Sequence, residues 1–321
     1  MMCSIDAYLG NDIYTCKRGV RHYMPNTVAA VVVTYNRKEL LRKCLNAIIG
    51  QKNVTCDIYV IDNNSDDGTK DMIISEYNIP NVKYHNTGKN LGGAGGFEIG
   101  VRMAKDAGYD YIWIMDDDTI PNDDALYELF EADKKMNGNW GFLSSVAYWT
   151  DGNICKMNIQ KKTIFKHVGK KEYSKDISPI VMCSFVSLLV KGNVARKLGS
   201  PIGEYFIWTD DYEYTGRISR EYPCYMVPNS KVTHAMKKHM RVDFANETPD
   251  RIERYHYIYR NDVHCYKKYG IKGWLYIILK DLYTSAKIIF KSKDNKLNKV
   301  KIVWKGFNEG LKFHPHELAN N

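Results

Sequence analysis

Long uninterrupted apolar runs are missing from this sequence. The most lipid-like stretch, GWLYIILKDLYTSAKIIF from Gly273 to Phe290, is broken by Lys280, Asp281 and Lys287, short of the ~18 consecutive apolar residues a spanning helix needs. Residues 1–27 hold no basic start followed by a continuous apolar run, so no secretory leader is expected there. The eight cysteines (Cys3, Cys16, Cys44, Cys56, Cys155, Cys183, Cys224 and Cys265) contain no CxxC pair and no metal-like spacing. They read as reduced, cytosolic thiols, with Cys44 and Cys183 as small buried hydrophobes inside apolar stretches. Low-complexity tracts and internal repeats are absent as well. With 44% hydrophobic and 12% aromatic residues, the 321-residue chain can bury a substantial core, which excludes global disorder.

Phosphate-binding signatures of the commoner kinds are also lacking. GKNLGGAGG (88–96) places Asn90 after its lysine and fails the GxxxxGK[ST] pattern. The first strand-helix turn, TYNRKE, has no glycine, and GxGxxG is absent from the third, so a dinucleotide-binding oxidoreductase is disfavoured. Positive charge is concentrated rather than general: Lys267 to Lys312 holds twelve lysines and no arginine against Asp281, Asp294 and Glu309, a net +9 that equals the charge of the whole chain. A lysine-rich helical tail with apolar residues between its charges suits either an anionic membrane surface or a packed helix pair with solvated lysines. No nucleic-acid-binding motif accompanies it, so nucleic acid is not an expected partner.

What is present is an alternation of strand-like and helix-like segments. VAAVVVTY (28–35), DIYVID (57–62), VKYHN (82–86) and YIWIM (111–115) read as buried strands. RKELLRKCLNAIIG (37–50), DGTKDMIISEY (67–77) and FEIGVRMAKDAG (97–108) read as the helices between them, the last preceded by a glycine-rich turn. That order predicts an α/β fold with a Rossmann-like, mainly parallel central sheet flanked by helices. Further on, 122–136 and 210–222 read as helices, 141–149 and 181–190 as strands, and 150–180 as a polar excursion. Residues 249–269, 271–291 and 296–313 read as a C-terminal helical region. The expected organisation is an extension over 1–27, a main domain over 28–245 and a basic helical region over 246–321.

Ligands of open α/β sheets bind beyond the carboxyl ends of the strands. Those ends carry Thr34 to Arg37, Asp62 to Asp67, Gly88 to Gly93, and finally Asp116, Asp117 and Asp118. Three adjacent carboxylates repel unless a cation, proton or basic group offsets them, and none of the residues from 111 to 126 is basic. A hard divalent ion, Mg²⁺ or Mn²⁺, bridging a diphosphate meets that need. Asp123 and Asp124 instead suit the start of a helix, with Pro121 at an early helical position.

VVVTYNR, VIDNNSDDGT, NLGGAGGF, MDDD and WTDDYE occur in one order across roughly residues 28 to 240. Together they resemble the inverting glycosyltransferases of family 2 with the GT-A fold, and the last three look most like the galactofuranosyltransferase branch, with rhamnosyltransferases nearby. The resemblance implies that Thr34 and Arg37 hold the nucleotide diphosphate, beside Asn90, Gly92 and Asp117, and that Asp62 bonds the pyrimidine base. It implies metal-facing roles for Asp116 and Asp118, completed by His234, with His239 as the rival. Asp211 matches the general base that accepts the acceptor hydroxyl's proton, with Trp208, Asp210 and Glu213 around the acceptor; Thr209 interrupts the family's Trp-Asp-Asp order.

The implied reaction is metal-dependent, inverting transfer of a hexose, galactofuranose favoured, from a UDP- or dTDP-linked donor to a glycan acceptor of lipid-linked kind. It belongs to surface-polysaccharide assembly at the cytoplasmic membrane face. A dTDP-rhamnose-dependent enzyme and a non-catalytic nucleotide-sugar-binding protein are the alternatives.

Overall fold

The computed structural model describes residues 27–236 and 243–316, together with the backbone of a short antiparallel pair, Tyr14–Thr15 with Arg21–His22. The first half alternates β1 (Val28–Thr34), α1 (Lys38–Ile49), β2 (Asp57–Asp62), α2 (Thr69–Glu76), β3 (Val82–Asn86), α3 (Gly92–Asp106) and β4 (Tyr111–Asp116). The four strands pair in parallel as β3–β2–β1–β4. Successive strand residues face opposite sides, so Ala30 and Val32 enter one core and Ala29, Val31 and Val33 the other. Both faces of the sheet are covered, which is why these strands read as unbroken apolar runs.

After β4 come β5 (Thr119–Pro121), α4 (Ala125–Lys135), β6 (Phe142–Tyr148), β7 (Ser178–Pro179), β8 (Leu188–Lys191), α5 (Gly192–Leu198), α6 (Asp210–Ser219) and β9 (Tyr225–His234). β8 enters antiparallel between β4 and β6, and β9 lies parallel to β6. The nine-stranded sheet runs β7–β9–β6–β8–β4–β1–β2–β3, with β5 attached to β9. This is the α/β architecture expected: a central, mostly parallel sheet flanked by helices.

Several local expectations change. The glycine-rich segment is not a turn but the first turns of α3. A Cβ on Gly96 would stand 2.5 Å from Val33 Cγ1, and one on Gly100 would collide with Val31, so these glycines let the helix lie close on β1. The strand expected over 181–190 shrinks to β8. Pro121 sits in β5, not in a helix. β9 was not anticipated because Pro228 interrupts its pattern; the proline falls in the bulge between Val227 and Lys231, where the ladder with β6 shifts.

The C-terminal region begins with a 3₁₀ run, Pro249–Tyr255, and continues as α7 (His256–Lys267), α8 (Gly270–Lys291) and α9 (Lys296–Lys312). Phe244, Tyr255, Tyr259, Ile288, Ile302 and Val303 form their shared core. The six cysteines among the described residues are free and buried, Cys44 and Cys183 included.

Candidate active site

The parallel strands deliver their carboxyl ends to one edge of the sheet, where the loops are tied together. Asn36, in the left-handed region at φ 52°, accepts from Asp66 N at 2.8 Å, and its own N–H donates to Ser65 Oγ at 2.9 Å. Asp67 accepts the N–H of Lys38 at 2.8 Å, so the free amino end of α1 is capped from the neighbouring loop. Asn63 Nδ2 donates to Gly92 O at 2.9 Å, which fixes the start of α3.

Asp116 ends β4, and Asp117 and Asp118 turn the chain into β5. Their counter-charge is already in the protein. Arg37 lies 3.2 Å from Asp117 Oδ1 and 2.9 Å from Asp118 Oδ2, while Thr34 Oγ1 donates to Asp117 Oδ2 at 2.8 Å. On the far side, His234 Nε2 stands 2.9 Å from Asp118 Oδ1. The segment 111–126 itself supplies no basic group; Arg37 comes from the turn after β1 and His234 from the end of β9, 80 or more residues away in sequence. Burial, with Asp118 adding to it, pushes Asp116 up to about 7. Burial also pushes Asp117 up to about 6, against Arg37. Burial opposes ionisation of both members of the His234–Asp118 pair, yet each charge outweighs it for the other: the imidazole rises to about 10 and the Asp118 carboxyl falls below its usual range.

The donor set fits a divalent cation. One ligand atom from each of Asp116, Asp118 and His234 lies within 4.8 Å of the others. Asp118 Oδ1 is buried, and Nε2 of His234 faces it. The 2.9 Å between those two atoms matches the ~3 Å separating adjacent donors on an octahedral ion with bonds of about 2.1 Å. His239 lies outside the described residues.

A second acidic group shares with the first a pocket of about 340 Å³, whose lining includes Asp116, Asn158, His234, Trp208, Asp210 and Asp211. Asp210 and Asp211 open α6. Burial pushes Asp210 up to about 6, and burial together with Asp210 holds Asp211 well above the carboxylate range. The approach to α6 is strained: Phe206, Trp208 and Thr209 have φ of 63°, 67° and 67°, a conformation that costs a non-glycine residue free energy unless its surroundings impose it. Here α7 imposes it. Asn261 Nδ2 donates to the carbonyls of Tyr205, Ile207 and Trp208 at 2.9–3.0 Å, and Thr209 Oγ1 donates to Asp262 at 2.8 Å.

Other expected residues stand elsewhere. Glu213 does not face the pocket; its buried carboxylate pairs with Arg217 at 2.9 Å and Lys268 at 3.2 Å. Asp62 is fully buried and already accepts from Ser65 N, Ser65 Oγ and Tyr84 Oη at 2.6–2.9 Å, so in this state it organises the β2 turn. Asn90 accepts the N–H of Gly92 at 2.8 Å and shapes the entry to α3. Trp208 packs its ring on Tyr255 with Arg254 above it.

Sequence reading missed the opposite wall of the pocket. Lys161, from the polar excursion, is bonded to Tyr266 and lies over the rings of Tyr212, Tyr266 and Tyr276. Burial and neighbouring Lys280 lower it to about 8. Lys280 is ion-paired with Asp262, and all three residues line the pocket. No spacing links Lys161 to residues about 100 positions away. His234 has a further partner of this kind: its Nδ1 faces Asn158 Oδ1 at 2.8 Å, and Asn158 Nδ2 donates to Ser184 at 2.8 Å.

A nine-stranded α/β sheet with an Asp-Asp-His cluster beyond its strand ends defines the GT-A class of glycosyltransferase fold, and comparison with known proteins agrees. Residues 29–172 match the family described as "Glycosyl transferase family 2". Its curated relatives include galactofuranosyltransferase GlfT1 of Mycolicibacterium smegmatis, 26% identical over 60% of this chain and 65% of that protein. Abequosyltransferase RfbV of Salmonella typhimurium is 33% identical over 35% of this chain and 37% of its own. The match to the galactofuranosyltransferase spans just under two thirds of that protein's length. Among solved structures, that of GalNAc-T7 with UDP, GalNAc and Mn²⁺ superposes with a TM-score of 0.61 over 91% of this chain and 57% of the other, at 14% identity, a likeness of fold.

Proposed function

We propose that this protein is a metal-dependent, inverting glycosyltransferase that moves a hexose from a nucleotide-diphosphate sugar to a sugar hydroxyl, with galactofuranose as the donor sugar. One observation carries the reading: a single pocket is lined by Asp116 and His234 and also by Asp210 and Asp211. A donor held beside the first pair presents its anomeric carbon to an acceptor held beside the second. The galactofuranosyltransferase relative supports the choice of sugar.

In this reading Asp116, Asp118 and His234 hold Mn²⁺ or Mg²⁺, which when bound supplies positive charge to the departing diphosphate. Thr34, Arg37 and Asp117 form the adjoining wall of the nucleotide site, with Asp62, Asn90 and Gly92 shaping its loops. Asp211 accepts the acceptor hydroxyl's proton as the hydroxyl oxygen attacks the anomeric carbon. The carbon–oxygen bond to the diphosphate breaks, and the configuration inverts. The raised proton affinity of Asp211 suits a base that must capture a proton. Trp208 and Asp210 flank the acceptor. The transfer domain is assigned to 28–245 and a helical region to 246–321, whose helices α7 and α8 complete the pocket through Asp262, Tyr266, Tyr276 and Lys280. A lipid-carried acceptor, and peripheral contact of the C-terminal helices with the cytoplasmic face of its membrane, complete the reading.

The test is a donor panel of UDP-galactofuranose, dTDP-rhamnose and common UDP-hexoses, each with and without Mn²⁺, read by nucleotide release and thermal stabilisation. Metal-dependent release from UDP-galactofuranose is expected. Release from dTDP-rhamnose instead would replace the sugar, and silence across the panel would remove the transferase reading.

A further inference from the structure

α8 is an inside-out helix. The charged residues of its middle turns face the protein: Lys280 pairs with Asp262, Lys287 with Asp243 at 2.7 Å, and Asp281 is 1% exposed. Its apolar residues face away. Leu275, Ile278, Leu279, Leu282, Ile289 and Phe290 lie outward at helical spacing, from 38% exposed at Ile278 to 83% at Phe290. No exposed position between Lys272 and Lys291 carries a charge. Nothing among the described residues covers this face, although an apolar helix stripe ordinarily faces the core.

We infer that the outward face of α8 docks on the surface of an anionic phospholipid bilayer. Charge complementarity selects that occupant. Lys272 stands exposed at one end of the apolar face, and Lys291, Lys293 and Lys296 at the other, with Leu297 87% exposed beside them. An apolar face combined with a basic collar supplies the two signals that stable interfacial binding requires. A second copy of the chain fits less well: in antiparallel pairing Lys272 would meet the opposite lysine-rich end, and in parallel pairing like ends would meet, so either arrangement sets cation against cation. The helix lies on the bilayer rather than crossing it, since no helix among the described residues is long and apolar enough to span one.

The other side of the same helix lines the pocket of Asp211 through Tyr276 and Lys280. Docking therefore holds that pocket, the proposed acceptor site, beside the membrane surface. This deepens the membrane contact in the functional reading but uses none of its donor-site residues, so either can fail alone.

The experiment is flotation of the full chain with phosphatidylcholine vesicles, with and without phosphatidylglycerol, for wild type and a Leu279→Glu/Leu282→Glu double variant. Both leucines are exposed and line neither wall of the pocket. Wild type is expected to float with the anionic vesicles only, less so at high salt, and the variant to lose roughly tenfold or more of that binding. Unchanged thermal stabilisation of the variant by Mn²⁺ plus UDP, relative to wild type, shows that the fold and donor site are intact. Three results would overturn the inference: wild type that ignores anionic vesicles, a variant that binds like wild type, or a wild-type dimer that the double substitution converts to monomer.

Discussion

His234 and Asp118 meet 2.9 Å apart, with the other nitrogen of the imidazole committed to Asn158. An imidazole whose Nδ1–H is donated to an amide oxygen points its Nε2 at the carboxylate. That arrangement is favourable only when Nε2 carries a proton of its own or shares a cation with Asp118. In the proposed metal site Asn158 orients the imidazole, and Asn158→Ala should weaken Mn²⁺ binding by about 10–100-fold. His234→Ala should weaken it further. Mn²⁺ titration followed calorimetrically decides this; wild-type affinity in both variants would remove His234 from the metal site.

Asp211→Asn should abolish transfer while leaving nucleotide binding intact, and it should stabilise the fold at neutral pH. Burial, and Asp210 beside it, raise the proton affinity of Asp211, and burial takes Asp210 itself to about 6. A carboxyl raised in the folded state contributes stability that is full below its unfolded pKa of about 4 and is lost as pH rises through the folded value. Wild type should therefore soften from about pH 4 upward through about pH 6 and beyond, with a flatter profile in the variant. Turnover should run the opposite way, rising with pH as the base ionises. Thermal melts and pH–rate profiles test the two slopes, and wild-type turnover by Asp211→Asn would dismiss it as the base.

The strained segment before α6 depends on one side chain. Asn261→Asp keeps the shape but removes the amide that donates to three carbonyls, placing carboxylate oxygens against carbonyl oxygens instead. A loss of about 1–3 kcal/mol in stability is expected. Turnover should fall beyond what the residual folded fraction explains, because Trp208 and Asp211 are positioned from this loop. Urea unfolding alongside steady-state kinetics measures both, and normal turnover would show that the loop needs no clamp.

Gly96→Ala and Gly100→Ala should each lose about 1–3 kcal/mol through overpacking, since the added methyl would press on Val33 or on Val31 and Ile61. Urea midpoints read the effect. A neutral outcome at both positions would mean that close packing of α3 is not what these glycines serve.

The sequence alone determined the parallel half of the sheet. Continuous apolar strands alternating with amphipathic helices admit few other arrangements, and β2 and β3 lie where the pattern places them. The segments holding Asp116, Asp118, Asp211 and His234 were singled out by their order in the sequence, and the structure brings Asp116, Asp118 and His234 together, with Asp211 lining the same pocket as Asp116 and His234. Tertiary structure decided what surrounds them. Arg37, His234 and Asn158 reach the acidic turn from separate elements, and their charges and hydrogen bonds act through space at about 3 Å, a relation that no linear spacing encodes. The same holds for Lys161 and for Asn261 and Asp262 of α7, which close the pocket from segments whose local pattern is merely polar or helical. Composition placed the lysines and leucines of α8 on one helix; only packing showed that its charges turn inward to find partners and its apolar face outward.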